Sequence, residues 1–409
     1  MVQVNKKYRM IAIIWMLLFV FQSLLTKTSS VFSYIDEAPL FIFFAITLLK
    51  TIRTGKITSK IENRRYIIAL IIFVMAGLAG NILFQYQPWN LVITDLVTNL
   101  KFFGAIAFFS MWMDADTLNT NRIPSMARFL TAILVILFLL GQFSNIFPAK
   151  YRYGIKVAVL FYEHPTYLAG ICVFLIAIMT IYGAEKSKLF IGLDLIILAF
   201  TLRSKAIAGV AIYILLYIVI KKLHAKLKTG QIFIVGLVGI ICAWSQIYFY
   251  FISLGGKSAR SVMLLTSITI LKDYFPIGTG FATFASHSAA VNYSPVYTKY
   301  GFELIYELRN SVTGTFFDDQ FWPIILGQTG AIGTVCYVYV LFTLFKKIQR
   351  LFNVNLDLYM SALFVFIYLL ISSIAEPAFN NSVAIPLAMT LTMAMKMNFV
   401  DYDNVEGCD

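Results

Sequence analysis

Charge is scarce in this chain. Asp, Glu, Lys and Arg together make up 13% of the 409 residues, only 20 of them acidic, and there are three histidines. A soluble globular domain carries about 25% charged residues, so that class is excluded. The four cysteines are Cys172, Cys242, Cys336 and Cys408. Three fall inside apolar runs and one in the tail, a spacing that supports neither a disulfide framework nor a metal cluster. HExxH, CxxC and P-loop patterns are absent, as are internal repeats, coiled-coil heptads and low-complexity linkers. No small-residue cleavage site follows the first apolar run, so it is expected to be a retained span, not a signal peptide.

What is present is hydrophobic. Apolar residues account for 60% and aromatic residues for 16%, with a mean hydropathy of +0.80. The expectation is an all-α, polytopic bundle, because each spanning helix needs about 20 mostly apolar residues. Twelve spans fit that template, near 9–26, 37–53, 66–86, 91–113, 127–147, 165–184, 189–202, 206–221, 232–252, 321–345, 356–375 and 382–398. The seventh and eighth are short and separated only by Arg203-Ser204-Lys205, so together they could form one re-entrant hairpin. The domain organisation that follows is a membrane domain over 1–252, a large loop with an amphipathic helix over 253–320, and a second membrane part with a tail over 321–409.

Loop charge orients the chain. The net charge of +13 would suit nucleic acid, but the charges sit in short loops, which is a topology signal. One set of alternate loops and termini holds 21 Lys or Arg, in runs such as NKKYR, KKLHAKLK and KKIQR. The opposite short loops hold six: Lys27, Lys150, Arg152, Lys156, Arg203 and Lys205. The positive-inside rule therefore predicts cytoplasmic termini and an external 253–320 loop, whose five basic residues balance five acidic ones.

Within that loop, SARSVMLLTSITILKDYFPIGTG reads as an amphipathic helix closed by a glycine turn. At 100° per residue, Ser258, Ser261, Thr266, Thr269, Lys272 and Asp273 take one side. Met263, Leu264, Ile268, Ile270, Leu271, Tyr274 and Phe275 take the other, together with Arg260 and Ser267. A guanidinium on a buried face is costly unless an anion pairs with it, or unless it snorkels to headgroups. Gly278 and Gly280 lack the strand-before, helix-after context of a phosphate loop, so turn chemistry is the favoured reading.

Other charged sites are expected at the same boundary. Arg203 opposes the positive-inside bias at a hairpin tip. Glu163-His164 before Pro165 serves equally as a helix cap or as an acid/base pair. Arg309 and Asp318-Asp319 close the loop ahead of Phe321-Trp322, where the acids complement a helix dipole or supply a base. Asp95, Lys101 and Asp194 lie inside spans and are read as structural, each pairing with a neighbouring span. His224 reads as a solvated loop residue, and His287 has no evident partner.

Taken in order, HPTYLAG at 164–170, TLRSKAIAGVAIYILL at 201–216, SARSVMLLTSITILKDYFPIGTGFATFAS and DDQFWPIILGQTGAIGT resemble the O-antigen and capsular polysaccharide polymerases, a superfamily shared with the O-antigen ligases. The resemblance covers about residues 160 to 345 and rests on four degenerate motifs in sequence. It implies glycosyl transfer at the outer face of a bacterial cytoplasmic membrane, from an undecaprenyl-diphosphate-linked glycan onto a new lipid-linked repeat unit. It also implies no cofactor, metal or nucleotide, membrane lipids and a lipid-linked oligosaccharide as partners, a flippase and a chain-length regulator beside them, and no nucleic acid. Arg260 and Arg203 would bind the diphosphate, since arginine forks match phosphate oxygens. Glu163, His164, Asp318 and Asp319 are the candidates for a base, and Arg309, Ser267, Lys205 and Tyr274 for further substrate contacts. Ligases of the superfamily carry a histidine shortly before the next span, where TFFDDQFW has none, which favours a polymerase. A ligase-type transferase, and from another class a lipid-linked oligosaccharide flippase or transporter, remain the alternatives.

Overall fold

The computed structural model describes residues 2–54, 64–113, 118–227, 230–231, 248, 258–310 and 316–397. It is an all-α bundle in which a helix coincides with eleven of the twelve expected spans. The ninth, near 232–252, lies outside the described residues except for residue 248, as do Cys242, Cys408 and the tail beyond residue 397. The helices are α1 (Val2–Thr28), α2 (Ala38–Thr54), α3 (Arg64–Phe84), α4 (Trp89–Trp112), α5 (Arg122–Phe143), α6 (Pro165–Ile181), α7 (Lys188–Phe200) and α8 (Ser204–Leu216). After the gap come α9 (Ala259–Asp273), the short α10 (His287–Val291) and α11 (Pro295–Lys299), then α12 (Phe321–Arg350), α13 (Leu356–Ala375) and α14 (Ala384–Lys396). A two-residue hairpin, β1 (Tyr151–Arg152) with β2 (Ile155–Lys156), is the one sheet among the described residues.

Seven of these helices are long and apolar enough to cross a membrane, counting α8 with the π-turn Tyr217–Lys222 that extends it. The eighth is thus long enough to cross by itself, and the seventh and eighth are two packed helices joined at Thr201–Arg203. The helix α6, PTYLAGICVFLIAIMTI, has no charged residue and is buried on every side from Leu168 to Ile181. A helix apolar all round belongs at the centre of a bundle. It packs against α5, α7, α13 and α14. The outer helices keep large apolar side chains exposed, among them Phe44, Leu48, Ile71, Met75, Phe129 and Ile136. That is the surface of a membrane protein, whose apolar residues need not be buried in protein to leave water.

The same physics corrects the expected faces of α9. Its buried stripe is Ala259, Met263, Ser267, Ile270 and Tyr274, packed against α12. Ile268 and Phe275, predicted to lie buried, are exposed, while Ser261 from the predicted polar side is buried. Where the surroundings include lipid, an apolar face is not necessarily the protein-facing one. Ser258 caps α9 by accepting from Ser261 N, and Glu307 Oε2 accepts from Ala259 N at 3.0 Å.

The FPIGTGF segment is more than a turn at the surface. It inserts between α3 and α12 and pairs with α12 where that helix breaks at Gly330, with φ 61° and ψ −158°. Thr279 N donates to Gly327 O, Gly280 N to Gln328 O, and Ile332 N to Pro276 O. Irregular backbone at this depth is tolerated only when protein groups satisfy it. Asn81 does so from α3, donating to Phe281 O and accepting from Phe281 N, both at 2.8 Å. Asp95 accepts from Ala282 N at 2.9 Å, and Gln328 donates to Phe284 O at 2.8 Å. Asp95 is thus engaged by the backbone of the inserted segment, a structural pairing of the kind expected for it. Asp194 likewise accepts from Thr131 on α5 at 2.8 Å.

A Cβ added at Gly278 would lie 2.5 Å from Gly330 N, at a φ of +77°. Gly154 has nearly the same φ, +76°, with nothing within 4 Å of the added carbon. Gly154→Ala is therefore expected to cost about 1 kcal/mol from backbone conformation alone. Gly278→Ala should cost about 2 kcal/mol more, because backbone cannot step aside. Thermal unfolding in detergent compares the two; equal melting temperatures would mean that the glycine contact does not hold the segment.

A second, smaller hydrophobic cluster belongs to the loop between α9 and α12. Tyr297 stacks on Phe317 at 4.3 Å between ring centroids and on Phe302 at 5.3 Å, with Phe284 and Ile324 at its base.

Candidate functional site

The connections at residues 29–37, 144–164, 201–203, 258–310, 316–320 and 376–383 gather at one end of the bundle, which we refer to as the loop end. A cavity of about 520 Å³ opens there. Its walls come from the C-terminal part of α1 (Gln22, Ser23), the Asp36-Glu37 pair ahead of α2, Lys101 of α4 and Glu163 ahead of α6. His287 at the start of α10 and Asn380-Asn381-Ser382 ahead of α14 complete it.

The strongest charges in the cavity were not among the expected site residues. Lys101 Nζ donates to Asp36 Oδ2 at 2.5 Å and to Glu37 Oε1 at 3.4 Å, and Gln22 Nε2 donates to Asp36 Oδ1 at 3.2 Å. Lys101 and Asp36 side chains are only 5% and 6% exposed. Burial raises the Glu37 carboxyl from its ordinary 4.5 to about 7, against the attraction of Lys101 and with Asp36 adding to the rise. The available signal was Lys101 itself, an ionisable residue inside a span, for which a functional role is the default. Its acidic partners are hidden in SYIDEAPL, which reads as an ordinary span entrance.

Two of the expected motifs reach the cavity from one side. Glu163 lines it, and the adjacent His164 caps α6, its Nδ1 accepting from Thr166 N at 3.3 Å. Arg203 Nη2 donates to His164 Nε2. Both ring nitrogens face donors, so an added proton would have no acceptor. Burial and then Arg203, Lys150, Lys205 and Arg152 lower His164 to about 4. Lys205 is ion-paired with Glu376.

The other two motifs approach from the opposite rim. His287 faces Asp318 at 3.8 Å, and Arg260 Nη2 donates to Asp319 Oδ2 at 3.2 Å. Burial raises the Asp319 carboxyl, partly offset by Arg260. The anion that a half-buried Arg260 calls for is thus supplied from within the chain. Neither Arg203 nor Arg260 is among the cavity's lining residues; Arg203 contacts His164 beside the lining Glu163, and Arg260 contacts Asp319, whose neighbour Asp318 faces the lining His287. The two arginines expected to bind one diphosphate are therefore not brought together on the cavity wall.

Three expected substrate contacts lie elsewhere. Ser267 is fully buried against α12 and donates to Leu264 O at 2.6 Å. The Tyr274 hydroxyl is 2.7 Å from that of Tyr86 and accepts from Lys299 Nζ at 2.8 Å, inside the small hydrophobic cluster. Both were placed by helical projection on a face assumed to be the substrate's, whereas packing occupies it. Arg309 is exposed, donates to Glu303 O at 3.1 Å and lies over Tyr306.

His164 makes stability depend on pH. Between about 4 and 6.5 the unfolded chain holds a proton on this ring that the folded chain does not. Stability from this residue is therefore complete above 6.5 and is lost as pH falls toward 4. The melting temperature is expected to drop over that interval and to drop less in His164→Gln. Parallel curves for the two proteins would remove His164 as the cause.

Fold and site together define a class: a polytopic α-helical membrane protein with a charged cavity at one end, walled by four helices and a folded loop. No model of a known protein family matches the sequence, and no characterised protein matches it either.

Proposed function

We propose that the protein is a glycosyltransferase that joins lipid-diphosphate-linked oligosaccharide units into a longer glycan, as the polysaccharide polymerases it resembles do, at the outer face of a bacterial cytoplasmic membrane. The observation that supports this reading is convergence. Four motifs spread along residues 163–319 meet at or behind one cavity: Glu163 lines it, with His164 and Arg203 behind, and His287 lines it, with Asp318 beside it and the Asp319–Arg260 pair beyond. The chemistry needs cations for a departing lipid diphosphate, a polar recess for a sugar acceptor and a proton acceptor. The donor already contains the activated bond, so no nucleotide is required.

A specific observation also favours the ligase-type alternative. His287, which in the sequence stands too far upstream to act with the next span, is brought to the cavity beside Asp318. The lack of histidine in TFFDDQFW then no longer separates the two activities. Purified protein in lipid nanodiscs, given a lipid-diphosphate-linked repeat unit and no nucleotide sugar, tests both. A ladder of longer lipid-linked glycans is the result expected of a polymerase. Transfer only to a different added acceptor is the ligase outcome. Movement of the lipid-linked unit across proteoliposomes with no new bond would instead support a transporter.

A further inference from the structure

Glu37 and Asn380 both line the cavity, and a wall rich in carboxylates and amides suits a ligand with many hydroxyl groups. The rest of the wall suits the same ligand. Gln22, Ser23, Asn381 and Ser382 supply amides and hydroxyls, while Phe19 and Tyr167 add aromatic surface to the lining. The volume, about 520 Å³, lies in the ordinary range of small-molecule sites.

The geometry points to this cavity as the seat of the acceptor sugar, with Glu37 as the catalytic residue that takes the proton from the attacking hydroxyl. The role rests on the glycosyltransferase reading. Lys101 engages Glu37 through Oε1 alone, at 3.4 Å, and sits closer to Asp36. Glu37 is thus the more exposed and less tightly paired of the two carboxylates, while Asp36 is held by both Lys101 and Gln22. In the step itself, the acceptor O–H proton passes to Glu37 and the oxygen forms a bond to the anomeric carbon of the donor glycan. The bond from that carbon to the diphosphate breaks, and its electron pair leaves with the lipid diphosphate. Glu37 then returns its proton to solvent through the cavity mouth.

The groups that bear on Glu37 are Asp36 beside it, Lys101 from α4, Glu163 and Tyr167 from the α6 entrance, and His287 from the loop. Burial and Asp36 raise its carboxyl to about 7, which matches a base working near neutral pH. Transfer by the unaltered protein should rise with pH through about 7 and level off above it.

The test uses the whole protein in nanodiscs with a lipid-diphosphate-linked repeat unit. Glu37→Gln keeps the shape and is expected to slow transfer by about 100-fold or more, with the rise near pH 7 lost. Glu37→Asp retains the carboxylate on a shorter arm and should recover part of the rate together with the pH dependence. Transfer by Glu37→Gln at the unaltered rate and with the same pH profile would overturn the role of Glu37. A Glu37→Gln protein that loses activity but still rises through pH 7 would overturn it as well. If the unaltered protein makes no glycosidic bond in an assay where the lipid-linked unit is intact and accessible, the glycosyltransferase reading fails first.

Discussion

Arg260→Ala is expected to reduce glycan transfer by about 100-fold or more, the usual effect of removing one preorganised donor from a charge-developing transition state. In cells, single repeat units would replace long chains. The complication is Asp319, which accepts from Arg260 at 3.2 Å and is itself only partly exposed, at 36% of its side chain. Loss of Arg260 would both remove the fork proposed to meet the diphosphate and leave a carboxylate without this partner. A double-mutant cycle separates the two effects. If Arg260 serves only to neutralise Asp319, then Arg260→Ala with Asp319→Asn should regain activity. If Arg260 meets the departing diphosphate, the double variant should remain as slow as Arg260→Ala. Arg260→Lys, which keeps the charge and loses the planar fork, should fall between. Normal chain length in Arg260→Ala at normal expression would remove the residue from the reaction.

The second large effect concerns stability. Lys101→Met is expected to destabilise the bundle by about 3–5 kcal/mol, because it leaves Asp36 and Glu37 without their cation in a wall that water reaches poorly. The methionine fills the space of the lysine stem, so the loss reports charge and not a cavity. Adding Asp36→Asn should restore a good part of the stability, since the amide needs no cation and Gln22 remains beside it. Glu37 is more exposed, at 20% of its side chain against 6% for Asp36, and suffers less from the change. Thermal unfolding of the single and double variants in one detergent decides the matter. A Lys101→Met protein as stable as the parent would show that the ion pair is not what holds the α2 entrance to α4.

Much of the architecture is legible in the sequence, because span length is set by membrane thickness and satisfied by local hydrogen bonding. Eleven apolar runs stand as helices, and the all-apolar run at 165–181 is the central one, as an uncharged helix must be. Helix ends are also local: Ser258 caps α9, and Asn355 caps α13 by accepting from Asp357 N and Leu358 N. The candidate site was legible in part. Arg203, Arg260, Glu163, His164 and the Asp318-Asp319 pair could be singled out as polar groups at the boundary of an apolar chain. Their charge is conspicuous wherever its partner lies.

The rest depended on which segments meet across the bundle. Helical projection could not tell protein from lipid, since both accept an apolar face; so Ser267 and Tyr274 were assigned to a substrate that packing excludes. Nor could local sequence reveal that the FPIGTGF segment lies backbone to backbone against the Gly330 break, held by Asn81 and Asp95 from other helices. Above all, the ion group of Asp36, Glu37 and Lys101 joins residues 64 and 65 positions apart. The membrane's demand for long apolar helices is written into each span by itself. The burial of charge is not, because whether a buried carboxylate is structural or reactive depends on a partner and a cavity that only the tertiary structure brings to it.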